Sequence, residues 1–421
     1  MDHGHFAVMA NFDLQGETAE LARGLSVGAQ LSVNLSAETA TALGLADDSS
    51  NLWLRWRPPG WANGEGLVLT LLPLTADRLY LGYEFPMTVS LAQSAWHGPE
   101  TGARLSFLRG PASAFVAVKS ALVSNEARHE DERRFTFFFG GGFDLLSHLS
   151  IEAEGAHADD GLNPEPFVLG TPLLSWSVAG RVRYHRGSPI GPPTDFDRYR
   201  NDPAVWENLL RPETYDGRLS ASLGAEVLYV LQGGLASVNP GESVASPQPA
   251  TGVAVEGRLK WNRTRIFLRG QLRTLSLLFA DQPGFPVLRA LPDAAQRSSA
   301  LSATVAVDHH FDVAHLTPGL RFELTRPAAL SLESSPLGPE TYVFDDAGTF
   351  TVLPSDQSPL PTFRIAATAR ADLGPLSALG EAFYTHDGNR TTFRDNNEGL
   401  SEIVSDDPST YGFDVLIQAR F

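Results

Sequence analysis

Polarity alternates along Tyr411-Gly-Phe-Asp-Val-Leu-Ile-Gln-Ala-Arg-Phe421, with Tyr411, Phe413, Val415, Ile417, Ala419 and Phe421 on one face and Gly412, Asp414, Gln418 and Arg420 on the other. A period of two belongs to an extended strand, whose successive side chains point to opposite sides of a sheet. The pattern recurs along the chain. Leu25, Val27, Ala29, Leu31, Val33 and Leu35 oppose Ser26, Gln30, Ser32 and Asn34. Trp176, Val178, Val182 and Tyr184 oppose Ser175, Ser177, Arg181, Arg183 and His185. Leu219, Ala221, Leu223, Ala225, Val227, Tyr229 and Leu231 oppose Arg218, Ser220, Ser222 and Glu226. Strands of this kind must cover one face each, inside a water-soluble sandwich or against lipid.

Spacing favours lipid. Tyr411 and Phe421 lie ten residues apart, which at ~3.3 Å per residue and ~45° tilt sets them about 23 Å apart along a membrane normal; Trp176 and Tyr184 give about 19 Å. Both separations suit the two aromatic girdles of a membrane sheet. In lipid every backbone polar group must be paired within the protein, so such a sheet spans only by closing on itself. The expected fold is therefore all-β, a closed antiparallel transmembrane β-barrel forming a single domain over residues 1–421. Candidate strands fall at 6–14, 25–36, 51–57, 65–73, 78–91, 103–109, 113–123, 133–141, 147–157, 175–185, 218–231, 252–261, 265–275, 299–309, 317–326, 362–372, 376–386 and 411–421. That makes eighteen, or sixteen if the weaker N-terminal candidates drop out, and an even number if both termini lie on one side.

Counting back from Phe421 puts the long Gly/Pro/Asp-rich stretches 387–410, 328–361, 277–298 and 233–250 at the external end and the tight turns at the periplasmic end. The connection 187–216 breaks this rhythm, being long yet periplasmic. Asp202 before Pro203 starts a helix and Pro212 stops it, predicting a short helix over 203–210. The connection either folds into the lumen, lies across the barrel mouth, or marks a miscount by one strand.

Composition excludes several classes. The net charge of −17 argues against nucleic acid as a partner. No cysteine is present, which removes disulfides, thiolate metal sites and cysteine nucleophiles. Apolar runs fall well short of the ~20 residues of a membrane helix, and the mean hydropathy of −0.11 fits a sheet with one wet face. Met1 leads directly into Asp-His-Gly-His-Phe with no basic segment and apolar run, so a secretory leader is expected to have been removed.

The faces opposite the apolar ones carry Arg181, Arg183, Arg258, Lys260, Arg265, Arg269, Arg273, Arg321, Arg364 and Arg370, together with Glu226, Glu256, Asp308, Glu323, Asp372 and Glu381. Standing free in a pore, the guanidiniums would favour anions, because a low-dielectric wall focuses their field. Paired with the carboxylates, they would fill and stiffen the interior, and pairing is the favoured expectation.

Other candidates carry less. Gly24-Leu-Ser-Val-Gly28 has the spelling of a nucleophile elbow, but Ser26 lies in a regular strand rather than a strand-to-helix turn. His309, His310, Asp312 and His315 cluster at a turn, where polar filling is expected before a metal site. The loop 386–399 is rich in oxygen ligands without calcium-loop spacing. No catalytic set, metal or cofactor is expected.

The C-terminal segment, with Phe421 preceded by Ile417, Val415, Phe413 and Tyr411 at alternate positions, resembles the assembly signal of Gram-negative outer-membrane β-barrels, and the whole chain is similar to the porin-like members of that class. Ala419 stands where the class often has an aromatic residue. The stretches Arg78-Leu-Tyr-Leu-Gly-Tyr-Glu-Phe85, Asn201-Asp-Pro-Ala-Val-Trp206 and Leu360-Pro-Thr-Phe-Arg364 look similar to segments of large porin-like barrels of myxobacteria. The resemblance implies outer-membrane localisation, contact with lipid and lipopolysaccharide, and reading of the last strand by the barrel-assembly machinery. It also implies two jobs: passive diffusion of small solutes, or service as a non-conducting or gated subunit of a motility or polysaccharide-export machine with periplasmic or outer-membrane partners.

Overall fold

The computed structural model describes the chain apart from residues 1–6, 19, 39–43, 48–49, 77–78, 86–100, 126–129, 197–212, 239–240, 281–286, 293–294, 336–337, 346–349, 355–356, 375, 396–400 and 420–421; in a few strand ends, 7–13 and 34–38 among them, it describes the backbone alone. In chain order the strands are β1 (Ala7–Glu17), β2 (Leu25–Glu38), β3 (Gly44–Asp47), β4 (Asn51–Trp56), β5 (Gly66–Leu72), β6 (Thr101–Arg109), β7 (Ala112–Asn125), β8 (Glu130–Leu146), β9 (Leu149–Leu162), β10 (Pro172–Arg186), β11 (Ser220–Gly233), β12 (Gln248–Trp261) and β13 (Thr264–Arg273). A short helix α1 (Leu275–Ala280) follows. Then come β14 (Gln296–Ser298), β15 (Ala300–His309), β16 (Leu316–Arg326), β17 (Ala328–Ser335), β18 (Gly338–Phe344), β19 (Phe350–Leu353), β20 (Thr362–Leu373), β21 (Leu376–His386), β22 (Thr391–Asp395), β23 (Ser401–Ser405) and β24 (Ser409–Ala419).

Eighteen of these form one antiparallel meander, each paired with its neighbour along the chain from β1 to β13 and on through β15, β16, β20, β21 and β24. β3 and β4 lie end to end along β2, so they share one crossing. Ser50 bridges the break between them: its hydroxyl accepts the Ser32 N–H at 3.0 Å and donates to the Ser32 carbonyl at 3.2 Å, standing in for a ladder bond. β1 and β24 therefore run in the same direction, and no ladder joins them among the described residues.

The odd number of crossings among the described residues has a local cause. The expected strand at 78–91 does not form over its described residues; β5 pairs directly with β6, and residues 73–85 leave the sheet. The alternation of Leu79, Leu81, Tyr83 and Phe85 imitates a strand, but it serves a segment packed against the sheet's inner face. Among the described residues the crossings are therefore odd in number, where an even number is expected.

The tight turns after β6, β8, β12, β15 and β20 share one end of the sheet, the turn end, with the close of β24. The long connections after β9, β11, β13, β16 and β21 share the other, the loop end. The connection 187–219 leaves β10 at the turn end, so it is no miscount. The helix expected over 203–210 lies outside the described residues.

At the loop end the presumed loops are folded. β17 pairs with β14 and β18, and β18 with β19, while β22 and β23 make a hairpin. Leu275 and Leu278 of α1 pack with Ala300, Ala328, Leu330 and Phe344 beneath that sheet. The last residues of the predicted strand 265–275 thus enter a helix.

Where their side chains are described, the crossing strands have an apolar outer face open to the surroundings, including Phe135, Phe137 and Phe139 of β8, Trp176 and Val178 of β10, and Phe413 of β24 at 74 % exposed. Aromatic residues gather toward the ends of this face: Phe135, Trp176, Tyr229, Tyr384 and Tyr411 near the loop end, Trp56, Phe143, Tyr184 and Trp261 near the turn end. The inner face is buried across much of the sheet. Ala254 and Leu228 are 0 % exposed, although no second sheet covers them. Connecting segments do.

Candidate functional site

From the turn end, the two described arms of the β10–β11 connection enter against the inner face of β12, β13, β15 and β16. Lys260 donates to the carbonyls of Pro189 and Thr214 and to Glu213 Oε1, each at 2.7 Å. Glu213 Oε2 accepts from Arg265 Nη1 at 2.7 Å and from the Gly191 N–H at 2.8 Å. Arg265 also clasps Asp308 in a two-bond fork of 2.8 and 2.6 Å. Arg258 donates to the Ile190 carbonyl at 3.0 Å, while Ile190 packs on Phe267 and Ala306. Asp195 pairs with Arg321, which reaches Glu381 at 2.7 Å; Arg364 meets the same carboxylate at 2.6 Å.

These pairs are out of solvent, with Lys260 at 0 % and Arg265 and Arg321 at 2 % exposed. Burial of charge is costly unless each ion is paired and hydrogen-bonded, and the carbonyls of 189, 190 and 214 supply the remaining acceptors. Burial pulls the Glu213 carboxyl up, but Arg265, Lys260 and the Gly191 N–H outweigh it and hold the group below the ordinary glutamate value. Tyr215 stacks on His310 with centroids 4.6 Å apart. Burial lowers the proton affinity of that imidazole, with Arg263, His315 and Arg265 acting in the same sense.

From the loop end, residues 73–85 enter on the other half of the interior. Glu226 accepts the N–H groups of Tyr83 and Glu84 at 3.1 Å, and Glu154 accepts that of Gly82 at 3.0 Å. Glu84 lies 3.3 Å from Arg269, and its carbonyl takes the Gln271 amide at 3.3 Å. Leu79, Leu81 and Phe85 pack with Leu277 of α1 onto Ala117, Phe138, Ala156, Ala179, Leu228 and Ala254. Gly252 provides a socket in the wall, since a Cβ there would come within 2.8 Å of Leu277 and 3.0 Å of Phe85.

All of the residues read as lumenal occupy the inner face: Arg181, Arg183, Glu226, Glu256, Arg258, Lys260, Arg265, Arg269, Arg273, Asp308, Arg321, Glu323, Arg364, Arg370 and Asp372. Their pairing follows the stiffening alternative only in part. Arg265–Asp308, Arg258–Glu256 and Arg370–Asp372 are wall pairs, whereas Glu226 serves backbone N–H groups. Glu84, Asp195 and Glu213, on the inward segments, were not among the sequence candidates. The signal for them was indirect: Ala117, Ala156, Ala179, Ala250 and Ala254 are small apolar residues on a face that water would have made polar.

Ser26 sits in β2 and donates to Glu17 at 2.7 Å, a surface strand contact. The histidine cluster divides in part: His309 bonds to Thr264, while His310, bonded to Thr317, lies 3.5 Å from Asp312, which also pairs with Arg263. Of the assembly-signal residues, Tyr411, Phe413, Val415 and Ile417 share the outer face of β24; Phe421 lies outside the described residues.

An apolar outer face bounded by aromatic rows, on a sheet whose ionised groups turn inward, is the arrangement a membrane-spanning β-sheet requires. No helix among the described residues is long and apolar enough to cross a membrane. No family model and no curated protein matches the chain. Among solved structures it is similar to Pseudomonas aeruginosa OpdL, at 10% identity over 98% of this chain and 94% of that one, with a TM-score of 0.45. It is also similar to the Escherichia coli outer-membrane protein Wzi, described as a carbohydrate-binding β-barrel involved in group 1 capsule assembly, at 11% identity over 99% and 84%, TM-score 0.42. A porin of Rh. blastica gives 10% identity over 75% and 85%, TM-score 0.33.

Proposed function

We propose that the sheet closes into an outer-membrane barrel and acts as a channel held shut, or nearly so, by two segments of its own chain. Residues 73–85 enter from outside, and the described arms of the β10–β11 connection, 187–196 and 213–219, from the periplasm. The observation that carries this is the burial of the inner face: Lys260, Arg265, Arg321 and Glu381 are all nearly inaccessible, whereas residues lining a wide aqueous pore would be wet. Anion preference belongs to the opened state, because Asp195 and Glu213 neutralise the cationic wall while they are seated.

Planar-bilayer conductance tests it. The intact protein is expected to show little steady current, and a variant with 188–215 replaced by a short Gly/Ser link an open, anion-preferring one. Steady conductance of the intact protein would overturn the proposal in favour of an ordinary passive pore.

A second reading makes the barrel a subunit of a larger outer-membrane machine. The entry of 187–219 from the turn end favours it, since a periplasmic partner could seat or withdraw that segment. Cross-linking from an introduced cysteine at Ser188 to periplasmic proteins in cells distinguishes the two. Lipid, lipopolysaccharide and the barrel-assembly machinery are partners under either reading.

A further inference from the structure

An open-sided recess of about 180 Å³ lies between the 73–85 segment and the inner faces of β6, β7, β9 and β10. That is smaller than the roughly 300–1,000 Å³ of sites that enclose a whole drug-sized ligand, so the recess has room for one ring or arm of a solute whose remainder stays outside. Its polar groups are not all satisfied by the protein. Arg181 gives one guanidinium nitrogen to Glu152, yet its Nε and Nη1 are buried with no hydrogen-bond partner. Buried donors in this state are uncommon and call for an acceptor. Arg181 is held in place by Tyr83, whose ring lies 4.2 Å from the guanidinium carbon. Across the recess Arg104 lies 4.2 Å over the Phe115 ring.

Charge bookkeeping narrows what could supply the acceptor. Two guanidiniums share the recess with the carboxylates Glu152, Glu154 and Glu226. An anion that meets the arginines also meets the glutamates, and a cation has the reverse difficulty. A neutral molecule that both donates and accepts meets neither penalty. Aromatic edges and faces beside these groups suit a solute with an apolar C–H surface as well as hydroxyls. We infer that the recess is a binding site for a neutral polyhydroxylated solute, of the sugar or polyol class, with Arg181 and Arg104 donating to its oxygens and the glutamates accepting from its hydroxyls.

The test is isothermal titration of sucrose into the full-length, detergent-solubilised protein, with acetate and glycine as the anionic and zwitterionic comparisons. Saturable sucrose binding is expected, weakened at least tenfold by Arg104→Gln and by Arg181→Gln while heat-modifiable gel mobility stays native. Arg104→Gln leaves the Arg181–Glu152 pair in place and keeps the test decisive should Arg181→Gln fail to fold. No saturable sucrose binding, equal binding by both variants, or tighter binding of acetate or glycine would each overturn the inference. Conductance is not read, so an open channel in the bilayer would sink the closed-lumen proposal without touching this one.

Discussion

Glu213 of the inward connection and Arg265 of β13 meet at 2.7 Å with both side chains almost fully buried, so one ion pair fastens a loop segment to the wall it would otherwise leave open. Lys260, at 2.7 Å from the other carboxylate oxygen, makes the contact a three-membered cluster. Removing the shared anion leaves the buried Lys260 without a carboxylate and Arg265 with Asp308 alone. Glu213→Ala is therefore expected to cost about 3 kcal/mol or more, the usual scale for breaking a buried pair. Equilibrium urea unfolding in detergent reads the loss, and limited proteolysis between 187 and 219 should accelerate with it.

The same carboxylate sets a pH dependence. Its proton affinity is depressed in the folded state, where Arg265, Lys260 and the Gly191 N–H overcome the effect of burial. A depressed acid contributes stability that is complete above its unfolded pKa and is lost as pH falls through the folded value. Acidification below the ordinary glutamate range should then loosen the described arms of the 187–219 connection, seen as faster cleavage or rising conductance. Glu213→Gln should remove that acid-dependent step, and persistence of the full step in this variant would place it elsewhere.

The external segment hangs on a glycine. Gly82 has φ +83°, and a Cβ there would come within 2.8 Å of the Phe85 carbonyl and 2.9 Å of Glu226 Oε1. Gly82→Ala thus strains the backbone and pushes the segment from the carboxylate that anchors Tyr83 and Glu84. A loss of roughly 1–3 kcal/mol is expected, with the wall intact. Hydrogen exchange should quicken at the Tyr83 and Glu84 amides and leave those of β11 unchanged.

How much of this was legible in the sequence depended on whether a residue obeys the strand period. Trp176 and Val178 outside, with Arg181 and Arg183 inside, follow from alternation alone, and so does nearly every crossing strand. Residues 79–85 imitate a strand because a segment packed on one side shows the same alternation. Glu213 and Asp195 were invisible for a different reason: nothing local distinguishes a carboxylate in a solvated loop from one destined for Arg265 or Arg321. β17 to β19 were read as loop because Pro and Asp around them signal turns, and their apolar residues find a core only after α1 lies beneath.

Asn163 is 0 % exposed and holds three stretches of the loop end together. Its amide nitrogen donates to the Gly234 carbonyl at 3.0 Å and to the Leu288 carbonyl at 2.8 Å, and its oxygen accepts the Glu165 N–H at 3.0 Å. Asn163→Ala takes the side-chain partner from the Gly234 carbonyl and the Glu165 N–H, while the Leu288 carbonyl keeps the Ala236 N–H; the loss is about 1–3 kcal/mol. Protease cutting at 163–171 and 234–238 should rise together, since one side chain serves both.

The outer face of β24 gives the sharpest test of the membrane assignment. Val415 lies between Phe413 and Ile417 on an apolar row, midway along the strand and 64 % exposed, while its neighbour Asp414 pairs inward beside Glu381. In water an exposed Val→Arg change is close to neutral. At the midplane of a bilayer it costs about 2–4 kcal/mol. Val415→Arg should therefore destabilise the protein by that amount in lipid vesicles, and the same change at Ser409, near the strand's loop end, by about 1 kcal/mol or less. Equal and negligible effects at the two positions would mean that the row of alternate apolar side chains does not face hydrocarbon, and that the sheet is covered by something other than lipid.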